Sequence, residues 1–196
     1  MLTVDFEYFD LQPGHFCVDL GCGEGRHSLT AYLQEHVTVI GLDLSHQDLK
    51  TAQSRIADME SYNPKGSVYF AQANGLSLPL ADHSVDRLIC SEVLEHIPNY
   101  IGFLEEIDRV LKPDGRLSIS VPRSWPERVC WSLCDAYRRS PGGHIRIFNA
   151  SHLSREVERY TLAETRRHGA HALHVPYWWL KCLFWHAETE PFILKW

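Results

Sequence analysis

Short runs of apolar, largely β-branched residues alternate along this chain with segments whose apolar positions recur every three or four residues, and turn-forming residues separate the two kinds. Strands and helices that alternate in this way pack as a parallel sheet with helices on both faces. Phe16–Leu20 is the first expected strand, and the glycine-rich turn after it opens a helix from about Arg26 to Glu35. Val37–Leu42 is the second strand, ended by Asp43. Ser45 is suited to cap a helix running to about Ser61, which the turn residues Asn63-Pro64-Lys65-Gly66 stop. Val68–Ala71 and Val85–Ser91 read as strands three and four. Between Tyr100 and Leu111, the residues Ile101, Leu104, Ile107, Val110 and Leu111 fall at helical spacing and give that helix one apolar face. Pro113-Asp114-Gly115 terminates it, and Arg116–Val121 is strand five.

Beyond Pro122 the alternation fades. The segment Arg123–Ile147, with Trp125, Trp131, Tyr137 and a Pro141-Gly142-Gly143 turn, reads as an insertion after strand five. Ser151 can cap a helix to about Arg159. Tyr160–Arg167 suits a further strand, although Leu162-Ala163-Glu164 fits a helix almost as well. The aromatic stretch Tyr177, Trp178, Trp179, Leu180, Leu183, Phe184 and Trp185 supplies burial first, as core or lid packing, with an interface or an apolar pocket wall as the alternatives.

Length and charge narrow this picture. A chain of 196 residues suits one α/β domain, here a core over 1–122 and a substrate-side part over 123–196. With 19 basic and 25 acidic residues the net charge is −6, and no basic block is present to track a phosphate backbone, so nucleic acid is not an expected partner. The six cysteines lack Cys-x-x-Cys pairing and sit mostly in apolar runs, which indicates reduced core thiols and a cytoplasmic protein. Cys130 and Cys134 alone make a poor zinc site. No signal peptide is evident, and the run Val175–Trp185 is too short to span a bilayer.

The candidate chemistry begins at Asp19-Leu20-Gly21-Cys22-Gly23-Glu24-Gly25. In a dinucleotide-binding turn the glycines let the backbone approach a pyrophosphate. A carboxylate on the strand just before them repels that ligand and suits a cation. S-adenosylmethionine, with an ammonium, a sulfonium and no phosphate, fits. Asp43, about 20 residues after the turn, is suited to accept hydrogen bonds from a ribose diol.

Four features in order now resemble a class I S-adenosylmethionine-dependent methyltransferase over Phe16–Pro122. They are the Asp19–Gly23 turn, Gly41-Leu42-Asp43-Leu44-Ser45, the loop Asn74-Gly75-Leu76-Ser77-Leu78-Pro79-Leu80, and Ser91-Glu92-Val93-Leu94-Glu95-His96-Ile97-Pro98 followed by a helix and Leu111-Lys112-Pro113-Asp114-Gly115. The resemblance implies a Rossmann-like, mostly parallel twisted sheet, seven-stranded with the last strand antiparallel. Here only Phe192–Trp196 is available to close it. Without that strand, strand five is an open edge that invites self-association as a homodimer. The resemblance further implies cofactor contacts from Asp19, Gly21, Cys22, Gly23, Asp43, Leu44 (packing on adenine), Asn74, Gly75 and Ser91. An Asp usually leads the third loop; Asn74 stands there, and its amide oxygen can still accept a bond from the adenine amino group.

The fourth block is similar to that of quinone O-methyltransferases and small-RNA 2′-O-methyltransferases, in which Glu-x-x-Glu-His and a downstream His can hold a divalent metal. Glu92, Glu95, His96 and His144 are the counterparts. The alternative is that Glu95 and His96 only start a helix and shape the pocket. His144, assisted by His96, is the candidate catalytic base for a hydroxyl. His168, His171 and His174 recur every third residue, but a strand alternates its faces every two, so they could not share one as ligands. The expected function is methyl transfer to a small-molecule acceptor, an oxygen of an apolar or aromatic compound. A non-catalytic adenosylmethionine-binding or scaffold protein stays open, and Asp19 disfavours a nicotinamide-dependent reductase.

Overall fold

A computed structural model describes residues 2–140, 142–160, 162–170 and 174–185, with only the backbone described at His174. Five strands form one parallel sheet in the order β3-β2-β1-β4-β5: β1 Phe16–Leu20, β2 Thr38–Asp43, β3 Ser67–Gln72, β4 Val85–Ser91 and β5 Leu111–Ser120. The register pairs Asp19 with Gly41 on one side and with Ile89 on the other. Because side chains alternate faces along a strand, the sheet has two distinct sides. Val18, Leu20, Leu42, Leu88 and Cys90 pack against Phe103, Leu104, Ile107 and Val110 of α5 (Tyr100–Val110) and Leu153 of α8 (Ala150–Val157). Cys17, Val39 and Ile89 face Phe9 of α1 (Phe6–Phe9) and Ala31 of α2 (Arg26–Tyr32).

The first four strands lie within one residue of where the hydrophobic pattern predicts them, strand five begins earlier, and several helix limits move. The helix capped by Ser45, whose hydroxyl accepts from the Asp48 N–H, breaks into α3 (His46–Ser54), α4 (Ile56–Met59) and a 3-10 turn at Glu60–Tyr62. Thr51 and Ser54 donate their hydroxyls back to the Gln47 and Thr51 carbonyls, bonds that bend a helix. The helix from Arg26 stops at Tyr32 rather than Glu35, and His36 then turns the chain with φ 55°. Asn149, not Ser151, caps α8, its side chain accepting from the Ser151 and His152 N–H groups. The described part of Tyr160–Arg167 forms no strand, and Phe192–Trp196 lies outside the described residues.

Strand five begins at Leu111. Its ladder with β4 skips from Val85–Leu111 to Arg87–Arg116, so Pro113-Asp114-Gly115 bulges out of the pairing. The insertion supplies α6 (Ser124–Leu133) and α7 (Asp135–Arg138), and α9 (His174–Leu183) packs on α6. Buried Cys130, Cys134 and Cys182 share that contact with Trp179, whereas Trp178, Leu183 and Phe184 stay exposed. All six cysteines are unpaired and buried. No helix among the described residues is long and apolar enough to cross a membrane.

Candidate active site

In an open parallel sheet a crevice forms beyond the carboxyl ends of neighbouring strands whose connections run in opposite directions. Here those strands are β1 and β4. Asp19, one residue from the end of β1, is 1% exposed. Its Oδ2 accepts from the Ser28 N–H (2.9 Å) and hydroxyl (2.6 Å) at the start of α2. Burial raises its pKa to about 6, against the lowering effect of the two Ser28 bonds.

The chain then turns through Gly21, Gly23 and Gly25, all with positive φ. A Cβ on Gly21 would lie 2.4 Å from Val93, while one on Gly23 would meet nothing within 4 Å, so Gly21 serves close packing and Gly23 leaves open space. The turn is tied to β2: the Gly21 and Cys22 N–H groups donate to the Leu42 carbonyl. The Gly23 N–H donates to Asp43 Oδ2 at 2.7 Å, and Asp43 Oδ1 accepts from the Ser45 N–H. Beside it Leu44 is 61% exposed. The Cys22 thiol is pushed up by burial. Asn74, just past β3, uses its amide oxygen on the Leu76 N–H, an Asx turn, and Gly75 lies against the Phe103 ring.

At the end of β4 the hydroxyls of Thr3, Ser91 and Ser120 form a chain, with Thr3 to Ser91 at 2.6 Å and Ser91 to Ser120 at 3.0 Å. It ends on Glu92 Oε1, 3.0 Å from the Ser120 hydroxyl. A carboxylate only accepts, so Ser120 donates to Glu92, Ser91 to Ser120, and Thr3 to Ser91. Glu92 has φ 56°, a conformation uncommon outside glycine. The amino-terminal segment therefore lies across the strand ends, with the Thr3 N–H donating to His27 and the His168 ring N–H donating to the Thr3 carbonyl.

Glu95 and His96 follow on a 3-10 turn, Leu94–His96. One ligand atom each from Glu95, His96 and His144 lie within 4.8 Å of one another. Glu92, the fourth candidate, is turned to Ser120 instead. Glu95 is 1% exposed and both its oxygens lack a hydrogen-bond partner. Burial pushes its pKa up to about 8, and the Glu92 charge adds to the rise. His96 donates Nδ1–H to the Gly143 carbonyl at 3.2 Å, and burial lowers its pKa. His144 donates Nδ1–H to Glu127 Oε1 at 2.7 Å and turns Nε2 to Glu95 Oε1 at 3.9 Å. Burial alone would lower the His144 pKa, but the bond to Glu127 and the surrounding carboxylates outweigh it and raise it.

Two residues of this site were not evident in the sequence. Glu127 of α6 is buried and holds His144. Arg146 donates to the Leu94, Ile97 and Pro98 carbonyls and lies over the Tyr100 ring, 4.5 Å from its centroid. Glu127 stands i−4 to Trp131, a helical spacing that hints at the indole bond it accepts. Nothing in the order of residues points to Arg146.

A parallel 3-2-1-4-5 sheet with glycines after β1 and an acid ending β2 defines a Rossmann-like fold that binds a nucleoside-containing cofactor at its strand ends. Within that class the chain belongs to the methyltransferase domain family, which matches residues 18–119. It is similar to methyltransferase GfsG of Streptomyces halstedii, 34% identical over 115 residues that cover 59% of this chain and 40% of that protein. It is also similar to a demethylmenaquinone methyltransferase of Lactobacillus johnsonii, 34% identical over 118 residues, covering 58% and 46%. The matches thus span less than half the length of these relatives. Among solved structures, the YcgJ protein of Bacillus subtilis superposes with a TM-score of 0.64 at 24% identity, covering 79% of this chain and 64% of that one; at that identity the likeness concerns the fold. A putative methyltransferase of Bacillus halodurans gives 0.63 at 25% identity, with 79% and 65% covered. The family match stops before α6, so Glu127 and His144 lie outside it.

Proposed function

We propose that this chain transfers the methyl group of S-adenosylmethionine to a hydroxyl oxygen of a small apolar or aromatic acceptor. The observation that carries the reading is the gathering of Asp19, the glycine turn, Asp43 and Ser91 at the carboxyl ends of three adjacent parallel strands. The bound cofactor supplies a methyl group already activated by sulfonium charge. The protein's task is then alignment and the exclusion of water. In this reading buried Asp19 and the backbone of Gly21, Cys22 and Gly23 hold the methionyl end, and Asp43 takes the ribose hydroxyls. Leu44 offers its exposed side chain to the adenine, Asn74 and Gly75 border the ring, and Ser91 borders the methyl end. His144, with Nε2 left as an acceptor, takes the hydroxyl proton, and His96 faces the same oxygen. An oxygen acceptor is also in keeping with those relatives that are named O-methyltransferases or act on an O-demethyl compound.

The same three donors fit a divalent cation. One carboxylate and two imidazoles are a mixed set suited to such an ion, and Glu95 has two buried oxygens that nothing else satisfies. When bound, an ion there supplies Lewis acidity to a hydroxyl. The six unpaired cysteines support a cytoplasmic location, and β5, an outer strand of the described sheet, is where two copies would pair. Sedimentation velocity that shows only monomer rejects the pairing.

Calorimetry with S-adenosylhomocysteine and labelled-methyl transfer to hydroxylated quinones and lipids, amines and thiols test the reading. The expected result is micromolar cofactor binding and transfer to hydroxyls, with His144→Ala losing transfer while still binding cofactor. Transfer to amines or thiols alone overturns the oxygen assignment, and absence of cofactor binding overturns the whole.

A further inference from the structure

Glu127 is buried on α6 and its carboxylate gathers three donors, all from the segment after strand five. Trp131 Nε1–H reaches Oε1 at 3.0 Å, the Tyr137 hydroxyl approaches both oxygens at 3.2 and 3.3 Å, and His144 Nδ1–H reaches Oε1 at 2.7 Å. The carboxylate is thus fully engaged and needs no further ligand. Its effect falls on His144. With Nδ1–H committed, neutral His144 carries its lone pair on Nε2, which faces Glu95 Oε1 at 3.9 Å. His96 repeats the arrangement, its Nδ1–H committed to the Gly143 carbonyl. The gap between Nε2 and the unpartnered Glu95 carboxyl therefore has room for a cation or for a proton shared by the two groups.

Resting on the reading of Glu95, His96 and His144 as the site that receives the acceptor hydroxyl or a divalent cation, we propose that Glu127 is the positioning residue of this site: it fixes the Nδ1–H tautomer of His144 and thereby makes α6 and α7 part of the site. Glu127 acts through His144, since its carboxylate is taken up by Trp131, Tyr137 and His144. A carboxylate behind a histidine ligand orients the ring and makes its other nitrogen a better donor to a metal, and its loss typically costs about 10- to 100-fold in affinity. Trp131 and Tyr137 hold Glu127 in turn, so the order of the insertion and the readiness of the site are linked through one carboxylate.

The test is the tautomer of His144, read by long-range nitrogen–proton NMR on the full chain without cofactor or acceptor, together with a titration of Co2+ alone followed by its visible absorption. At a pH high enough for His144 to be neutral, native protein is expected to show Nδ1–H with an unprotonated Nε2. Glu127→Gln, which keeps an acceptor oxygen, is expected to retain that tautomer. Glu127→Ala is expected to shift His144 toward Nε2–H and to weaken Co2+ binding about 10- to 100-fold. A native His144 in the Nε2–H form overturns the proposal without any variant. So does a folded Glu127→Ala that keeps both the tautomer and the Co2+ affinity. Failure of the native chain to transfer methyl groups would instead strike the reading of function, because the tautomer is read with no substrate present.

Discussion

Asp19 keeps a carboxyl where water does not reach, and two bonds from Ser28 stabilise its charged form only partly. Its pKa, about 6 against an ordinary 3.8, means that the folded chain binds more protons than the unfolded chain between those values. The Asp19 contribution to stability therefore falls as pH rises from about 4 to about 6, by up to roughly 3 kcal/mol for a shift of this size, and is constant above, where Glu95 continues the decline toward pH 8. Asp19→Asn is expected to make the slope between pH 4 and pH 6 shallower than in the native protein, leaving the share that Glu95 contributes, measured as urea midpoints across the range. The same group accounts for a binding trend of the opposite sense. A cofactor ammonium needs the ionised carboxylate, so affinity for S-adenosylhomocysteine should rise from pH 5 to pH 7 in the native protein. In Asp19→Asn it should be about 10- to 150-fold weaker and flat with pH, since a charge-assisted bond contributes about 1.5–3 kcal/mol.

Among the elements, the 3-10 turn Leu94–His96 bears most on the proposed chemistry, because two of the three clustered donors stand on it. A single short turn has little stability of its own. Arg146 supplies it from outside by donating to the carbonyl of its first residue, Leu94, and to the two just beyond it, Ile97 and Pro98. Arg146→Ala is expected to cost about 2 kcal/mol by denaturation and to weaken Co2+ binding as well. Asn149→Ala, which removes only the cap of α8, is expected to cost about 1 kcal/mol and to leave Co2+ binding unchanged. The contrast also explains what the sequence discloses. The strands, the glycine turn and α5 are written in local periodicity and turn chemistry, which neighbours in sequence decide. The side-chain hydrogen bonds of Arg146 and Glu127 join residues 10 to 52 positions apart, apart from the i,i+4 bond to Trp131, and no local pattern encodes such closures. Two limits read from propensity alone, the end of the Ser45 helix and the cap of α8, were lost to side-chain bonds that compete with the backbone.

Across the whole molecule the sheet fixes a rim, and two segments remote in sequence meet above it. Arg166 pairs with Asp5 at 2.9 Å and lies over the Tyr8 ring, and Tyr8 donates its hydroxyl to the Thr165 carbonyl. Arg87 and Arg116 hold the carbonyls of Tyr8, Phe9 and Asp10. The chain before β1 is thus anchored at several points, and its Thr3 ends on Ser91, a bond that joins the proposed methyl end of the site to the amino-terminal segment. The described segment from Leu2 onward thus borders that end of the site. A purification tag on that side is therefore expected to raise the dissociation constant for S-adenosylhomocysteine several-fold, whereas enzymatic removal of the tag restores it, and matched calorimetry before and after cleavage would measure how closely the amino end guards the site.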